Sequence, residues 1–297
     1  MIQFSEIQQP APNIEEVTSA RTELLHQIES SKSVEDIRLA MQQWDHGRRE
    51  VGTWEALVHL RFCQDTTDEQ AKQAQDEMDQ LQPKLTELDI NIKRALVSHP
   101  LRTALEQETG AQLFALWEAE IPTFDPVIAD DMIRESGLKT KYTTLMASAK
   151  LEFDGDTLNH STITRYRENA DRDLRYGAEL VRWKWFDEHA EELDDLFDEM
   201  VALRHGMAQK LDFDNYVDLG YQIMSRIDYD QHDVARYRDM VREEVTPLGQ
   251  QIRDGQATTL GIDKTMFWDE SVYLKAGNPL PSSDYDTMIS QATEMFN

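Results

Sequence analysis

Asp187-Glu188-His189-Ala190-Glu191-Glu192-Leu193-Asp194-Asp195-Leu196-Phe197-Asp198-Glu199-Met200-Val201 is the middle of the pattern that decides the fold. From Leu174 through Ala178, Val181, Trp185, His189, Leu196, Met200, Leu203 and Met207, apolar residues recur at close to helical spacing. That spacing predicts one apolar stripe along a very long helix, or two abutting ones, from about Arg167 to Lys210. Gly177 and Gly206 interrupt the stripe, and neither forces a stop. Leu193, Phe197 and Val201 widen it, while Glu191, Glu192, Asp194, Asp195, Asp198 and Glu199 take the opposite side. A helix with apolar residues on more than one face is expected to be sheathed by others, so the fold class reads as mainly α. Beyond Lys210, Asp212 or Asp214 is placed to cap a further helix that begins near Tyr216.

The flanking residues carry a resemblance. Asp171-Arg172 through Lys210-Leu211, then Asn215-Tyr216-Val217 and Leu219-Gly220-Tyr221, then Met224, Arg226 and Asp228-Tyr229, resemble the oligoendopeptidase F family, thimet-type zinc metallopeptidases that cut short peptides. Phe4-Ser5-Glu6-Ile7 is similar to the family's opening, Ala149 to Gly155 to its hairpin, and Gly277-Asn278-Pro279 to a segment shortly before its catalytic region. The resemblance implies a two-lobed zincin-type molecule with a deep cleft, zinc as cofactor of the parent enzyme, and short peptides as substrates. It also implies that the family's His-Glu-x-x-His would lie beyond Asn297. On that basis Tyr221, Arg226, Asp228 and Tyr229, in the most family-like loop, are candidates for lining the substrate cleft. The competing reading is structural, with Arg226 and Asp228 tying the loop down as an ion pair.

The totals bound what else the chain can do. There are 30 basic against 57 acidic side chains, a formal net charge of −27. Such a charge opposes nucleic acid and anionic lipid, whose binding needs Lys and Arg to neutralise phosphate. Cys63 is the only cysteine, so no intrachain disulfide forms. The start has neither a basic nor an apolar signal region, and no apolar run approaches the length that spans a bilayer. A cytoplasmic location is the default expectation.

Along the chain, Asn13 with Glu16, Ser33 with Asp36, and Thr67 with Gln70 read as three helix starts. The stripes that follow predict a helical bundle or arm over the first hundred residues, with a kink expected at Pro83. Residues 101–150 read as shorter helices punctuated by Gly110, Pro122, Pro126 and Gly137. Leu151-Glu152-Phe153 and Thr157-Leu158 flank Asp154-Gly155, the signature of a tight type I′ hairpin. The chain is therefore cut there, into an N-terminal helical bundle over 1–150 and a hairpin plus long-helix portion over 151–297. Val234, Tyr237, Met240, Val241 and Val245 mark a helix continuing past Pro247 to about Ile252, and 260–281 reads as loop with a short element. Tyr285, Met288, Ile289, Ala292, Met295 and Phe296 form a last helix whose pattern is still running at Asn297, so the chain is expected to be truncated. Self-association through the face so exposed, with Met288, Ile289, Met295 and Phe296 in the contact, is the corresponding expectation.

The visible residues supply little chemistry. A zinc peptidase needs two imidazoles one helical turn apart with a Glu between them to polarise water. The nearest pair among the eight histidines, His46 and His59, is 13 residues apart. His189-Ala190-Glu191-Glu192-Leu193 comes closest, with Leu193 where the second ligand belongs. Asp154-x-Asp156 begins like a calcium loop, but Leu158 and Asn159 break it. Cys63 reads as a buried, inert thiol. Arg182-Trp183-Lys184-Trp185 interleaves basic and aromatic residues as single-strand binders do, yet on a helix these residues fan out around the axis. No catalytic or metal-binding residue is assigned in this chain, which is expected to be inactive alone, as part of a peptidase. The alternative is an all-helical binding or scaffold module without catalysis.

Overall fold

A computed structural model describes residues 7–296. The motif Phe4-Ser5-Glu6 therefore lies outside the described residues. Twelve α-helices and one two-stranded hairpin make up the described structure, and its contacts divide into two units. The first comprises residues 1–147 and 191–237, the second 148–190 and 238–297. The long stripe is thus shared: residues 191–237 group with the N-terminal helices, and the hairpin groups with the helix before them and the segments after them.

The first unit opens with α1 (Ile14–Ser30), α2 (Val34–Gln64) and α3 (Glu69–Val97), which pack on one another. Asn13 caps α1 through its side-chain oxygen, which accepts from the amides of Glu15 and Glu16, and its Nδ2 donates to Glu16 Oε1 at 3.2 Å. Ser33 caps α2. Asp68, one residue later than the expected Thr67, caps α3 by accepting from the amides of Gln70 and Ala71. Thr67 instead bonds to Asp65. Helix α3 continues through a buried Pro83. Ile28, Ile37, Trp44, Ile92, Leu96 and Phe114 form the core that joins these helices to α4 (Arg102–Thr109) and α5 (Ala111–Glu120).

Gly137 does not break the chain. It lies inside α6 (Ala129–Ala147), a helix set against α8 (Ala190–Lys210) through Leu138, Leu203 and Met207. Three ion pairs run along this contact: Lys210–Asp131 at 2.5 Å, Arg204–Glu135 at 2.7 Å and Arg134–Glu199 at 2.6 Å. Asp131, earliest on α6, meets Lys210 at the end of α8, while Arg134 and Glu135 meet the earlier Glu199 and Arg204, so the two run antiparallel. The widened face of the stripe is not sheathed as expected, because Phe197 is 68% and Val201 50% exposed. Asp212 takes a positive φ of 63° and ends α8, with the Phe213 amide reaching back to the Ala208 carbonyl. The cap of the next helix is therefore neither Asp212 nor Asp214 but Asn215, which accepts from the amides of Val217 and Asp218.

In the second unit, β1 (Leu151–Phe153) pairs with β2 (Asp156–Leu158), Leu151 opposite Leu158. Asp154 and Gly155 take φ values of 53° and 83°, the geometry of the expected turn. The hairpin lies against α7 (Arg172–Glu188), capped by Asp171. The long helix is in fact two abutting ones, broken at His189. Its Nδ1 lies 2.8 Å from the Trp185 carbonyl and its ring stacks on Trp185, so the side chain competes for helical backbone. Helix α10 (Gln231–Met240) passes through a π turn into α11 (Thr246–Leu260), eight residues longer than the expected end at Ile252. There the Thr246 amide reaches the Val241 carbonyl, and Pro247, which lacks an N–H, follows in the first turn. Helix α12 (Tyr285–Phe296) has no buried residue.

Candidate functional site

The four candidates of the family-like loop lie at and beyond the end of α9 (Tyr216–Ile223). Ser225 takes φ 56°, and the Arg226 amide donates back to the Tyr221 carbonyl at 3.0 Å while the Ser225 amide donates to Gln222. This reversal ends the helix and turns Arg226 back over it. The guanidinium carbon lies 5.2 Å from the ring centroid of Tyr221 and 5.2 Å from that of Tyr229. Tyr221 and Tyr229 face each other edge-on at 6.4 Å. The structure thus brings Tyr221, Arg226 and Tyr229 together and leaves Asp228 exposed outside the group.

No ion pair joins Arg226 to Asp228 among the described residues; the cation is held by π faces instead. Its guanidinium N–H groups make no hydrogen bond among the described residues and are left for an acceptor. Asp218 secures the loop from beneath, accepting from Asn215 Nδ2 and Gln231 Nε2 at 3.3 Å each. Asp230 caps α10 by accepting from the amides of His232 and Asp233. Tyr216 shares the helix; burial pushes its phenol up despite Arg204, whose guanidinium lies over the ring.

Other sequence candidates are placed as follows. His189 stands at the helix break with its ring on Trp185. Asp154 accepts from the Tyr166 hydroxyl and Asp156 pairs with Arg165, so both serve the hairpin. Cys63 is exposed rather than buried, and its Sγ lies 3.6 Å from His59 Nε2. One helical turn separates the two residues, a spacing that carried the signal. Among the described residues no group of three or more His, Cys, Asp or Glu is arranged to hold a metal ion.

The second unit holds features that sequence reading missed. Tyr176, Leu180, Trp183, Phe267 and Trp268 line an apolar concavity of about 880 Å³. The turn that carries Phe267 and Trp268 ends on Asp269, wholly buried, which receives Arg172 and Arg175 and the Met266 amide. Burial pushes that carboxyl up, but the bonds from Arg172, the Met266 amide and Arg175 outweigh it and hold it below the usual range. The acid and its arginines are more than ninety residues apart in sequence, so no local pattern reveals them.

The comparisons with known proteins match this architecture. Residues 4–124 match the Peptidase M3 N-terminal domain. A solved structure of PZ peptidase A with an inhibitor is 35% identical, with a TM-score of 0.95 over 99% of this chain and 52% of its own. A structure assigned as oligoendopeptidase F, at 3.1 Å, is 35% identical, with a TM-score of 0.96 over 100% of this chain and 52% of its own. Another assigned to that family, from Bacillus anthracis, is 32% identical, with a TM-score of 0.93 over 99% of this chain and 54% of its own. The comparison with curated proteins finds no match. The chain spans about half the length of the solved relatives it matches. With the M3 N-terminal domain at its start and that likeness along its whole length, the chain belongs to the oligoendopeptidase F family, as an N-terminal portion of such a protein.

Proposed function

We propose that the chain is the portion of a zinc metalloendopeptidase that shapes access for short peptides, and that it is inactive by itself. The observation that carries this reading is the 35% identity to a peptidase over essentially the whole chain. The described residues do not fit a zinc site, since they contain no suitable cluster of ligands. By likeness to the family, the metal and the base that activates water are assigned to the remainder of the parent, and no hydrolytic step is assigned to residues here. What this chain contributes is recognition. Arg226, braced between Tyr221 and Tyr229, offers its N–H groups to a peptide carboxylate, and the exposed Asp228 of the same loop attracts a basic group.

A helical binding module is the competing function; complementation separates the two. The purified chain is mixed with the separately produced second half of the 35%-identical oligoendopeptidase F structure and assayed on a quenched fluorogenic peptide. Zinc-dependent cleavage, weakened about tenfold in kcat/KM by Arg226→Met, is expected, equivalent to roughly 1.4 kcal/mol of transition-state binding. An assembled but silent pair contradicts the peptidase reading, and full activity in Arg226→Met contradicts the residue assignment. No helix among the described residues is long and apolar enough to cross a membrane. We place the parent in the cytoplasm, without nucleic-acid partners, and the isolated chain in self-association through α12.

A further inference from the structure

The bundle of the first unit holds a polar cavity of about 390 Å³ whose walls come from α1, α2 and α3, with Glu120 at the end of α5. In a chain with a formal net charge of −27, four cations line it: Arg21, Arg48, Arg49 and Lys93. Arg21 of α1 is 6% exposed and Lys93 of α3 is 3% exposed. Arg48 of α2 stands at the rim, its guanidinium carbon 5.1 Å from the Trp44 ring centroid, and the Lys93 ammonium lies 6.0 Å from the same ring.

The facing acids do not fully answer these charges. Asp89 receives both Arg21 and Trp44 Nε1, and Glu120 receives Lys93. Arg48 has only Asp45, at a long 3.4 Å, and Asp45 also serves Arg49 at 2.8 Å. Asp45 does not line the cavity. Glu55 does, and burial pushes its carboxyl up. The cations feel the crowding: burial and then Arg48 bring Arg21 down to about 10. Burial lowers Lys93 too, against the pull of Glu120 and with Arg48 and Arg21 adding to it. Four cations against three carboxylates in the lining leave an excess positive charge, and in a partly dehydrated cavity such an excess favours a counter-ion.

We propose that Arg21, Arg48 and Lys93 form a binding site for a small oxyanion of the phosphate or carboxylate class. Guanidinium forks match the paired oxygens of either group. The volume corresponds to roughly a dozen waters at about 30 Å³ each, so a hydrated oxyanion enters without displacing a wall. A self-sufficient ion-pair network, the competing explanation, predicts no saturable site.

Isothermal titration of the purified chain with inorganic phosphate, and separately with acetate, at constant ionic strength set by chloride, tests this. Saturable one-to-one binding of at least one of them is expected, at least tenfold weaker in Arg48→Ala and unchanged in Lys72→Ala, an exposed cation away from the cavity. Arg48 lies at the rim, so its removal leaves the bundle core intact, which a thermal melt of the variant verifies. The anion that binds identifies the class. Absence of saturable binding by both anions, or equal affinity in Arg48→Ala, overturns the site.

Discussion

Arg175 Nη2 donates to Asp269 Oδ1 at 2.7 Å with both side chains almost wholly shut off from water. Its Nε donates to the Trp268 carbonyl at 3.1 Å, so this arginine of α7 joins Arg172 in fixing the 267–269 turn and with it the aromatic wall. Removing one partner of such a pair strands the other, which costs about 3–5 kcal/mol. Asp269→Asn is therefore expected to lower stability by that order in urea unfolding, and a loss under about 1 kcal/mol would contradict it. The pH dependence has a definite sign. The folded carboxyl is held below its unfolded value near about 3.9, so its contribution is present above that value and lost as pH falls through the folded one. The wild type should lose more stability than Asp269→Asn over that acid range.

His160 loses stability in the same direction, but in a window at higher pH. Its ring stacks on Phe186 and meets Trp185 edge-on, and both ring nitrogens are buried without a hydrogen-bond partner among the described residues. Burial lowers its pKa, with Arg182 and His189 adding to the effect. The unfolded chain then takes up the proton first, so stability declines as pH falls below the ordinary histidine value of about 6.5. His160→Phe should flatten the stability curve between roughly pH 6.5 and 5. Identical pH profiles for variant and wild type would show that the ring carries no such penalty.

Two glycines in long helices should respond differently to alanine. A Cβ on Gly177 would meet the Phe153 ring at 3.0 and 3.2 Å, while one on Gly206 meets nothing within 4 Å. Gly206→Ala should gain up to about 1 kcal/mol from helix propensity. At Gly177 the same gain is offset by displacing Phe153, which packs edge-on against Tyr166 at 4.9 Å. Melting temperatures should rise for the first and not for the second, and an equal rise in both would refute the contact.

Helix α12 exposes Met288, Ile289, Met295 and Phe296, the last two at 88% and 89%. Apolar surface of this kind favours association. Sedimentation velocity should show concentration-dependent dimers or larger species that revert to monomer in the Met295→Ser, Phe296→Ser double variant. A monomeric wild type at all concentrations rules this face out as a contact.

What was legible in the sequence follows interaction range. Asp154-Gly155 announces its turn because positive φ is a local demand, and the apolar stripe announces helices because its period is local too. The break at His189 was not legible, since it depends on an imidazole bonding the Trp185 carbonyl rather than on a Gly or Pro. Asn215 displaces Asp212 as cap because Asp212 is already spent ending α8. For the loop, the residues were named but not their chemistry: an ion pair between Arg226 and Asp228 was expected, and two tyrosine faces hold the arginine. The Arg175–Asp269 and Arg21–Asp89 pairs join distant segments, and one sequence alone carries no trace of them.

The most direct test of the central claim is equilibrium zinc binding to the purified chain, read by metal analysis after dialysis and paired with a fluorogenic peptide assay. The account predicts substoichiometric zinc and no cleavage, because no histidine pair lies one helical turn apart and no ligand cluster forms among the described residues. One zinc per chain held by its own side chains, with peptide hydrolysis that a chelator abolishes, would contradict it.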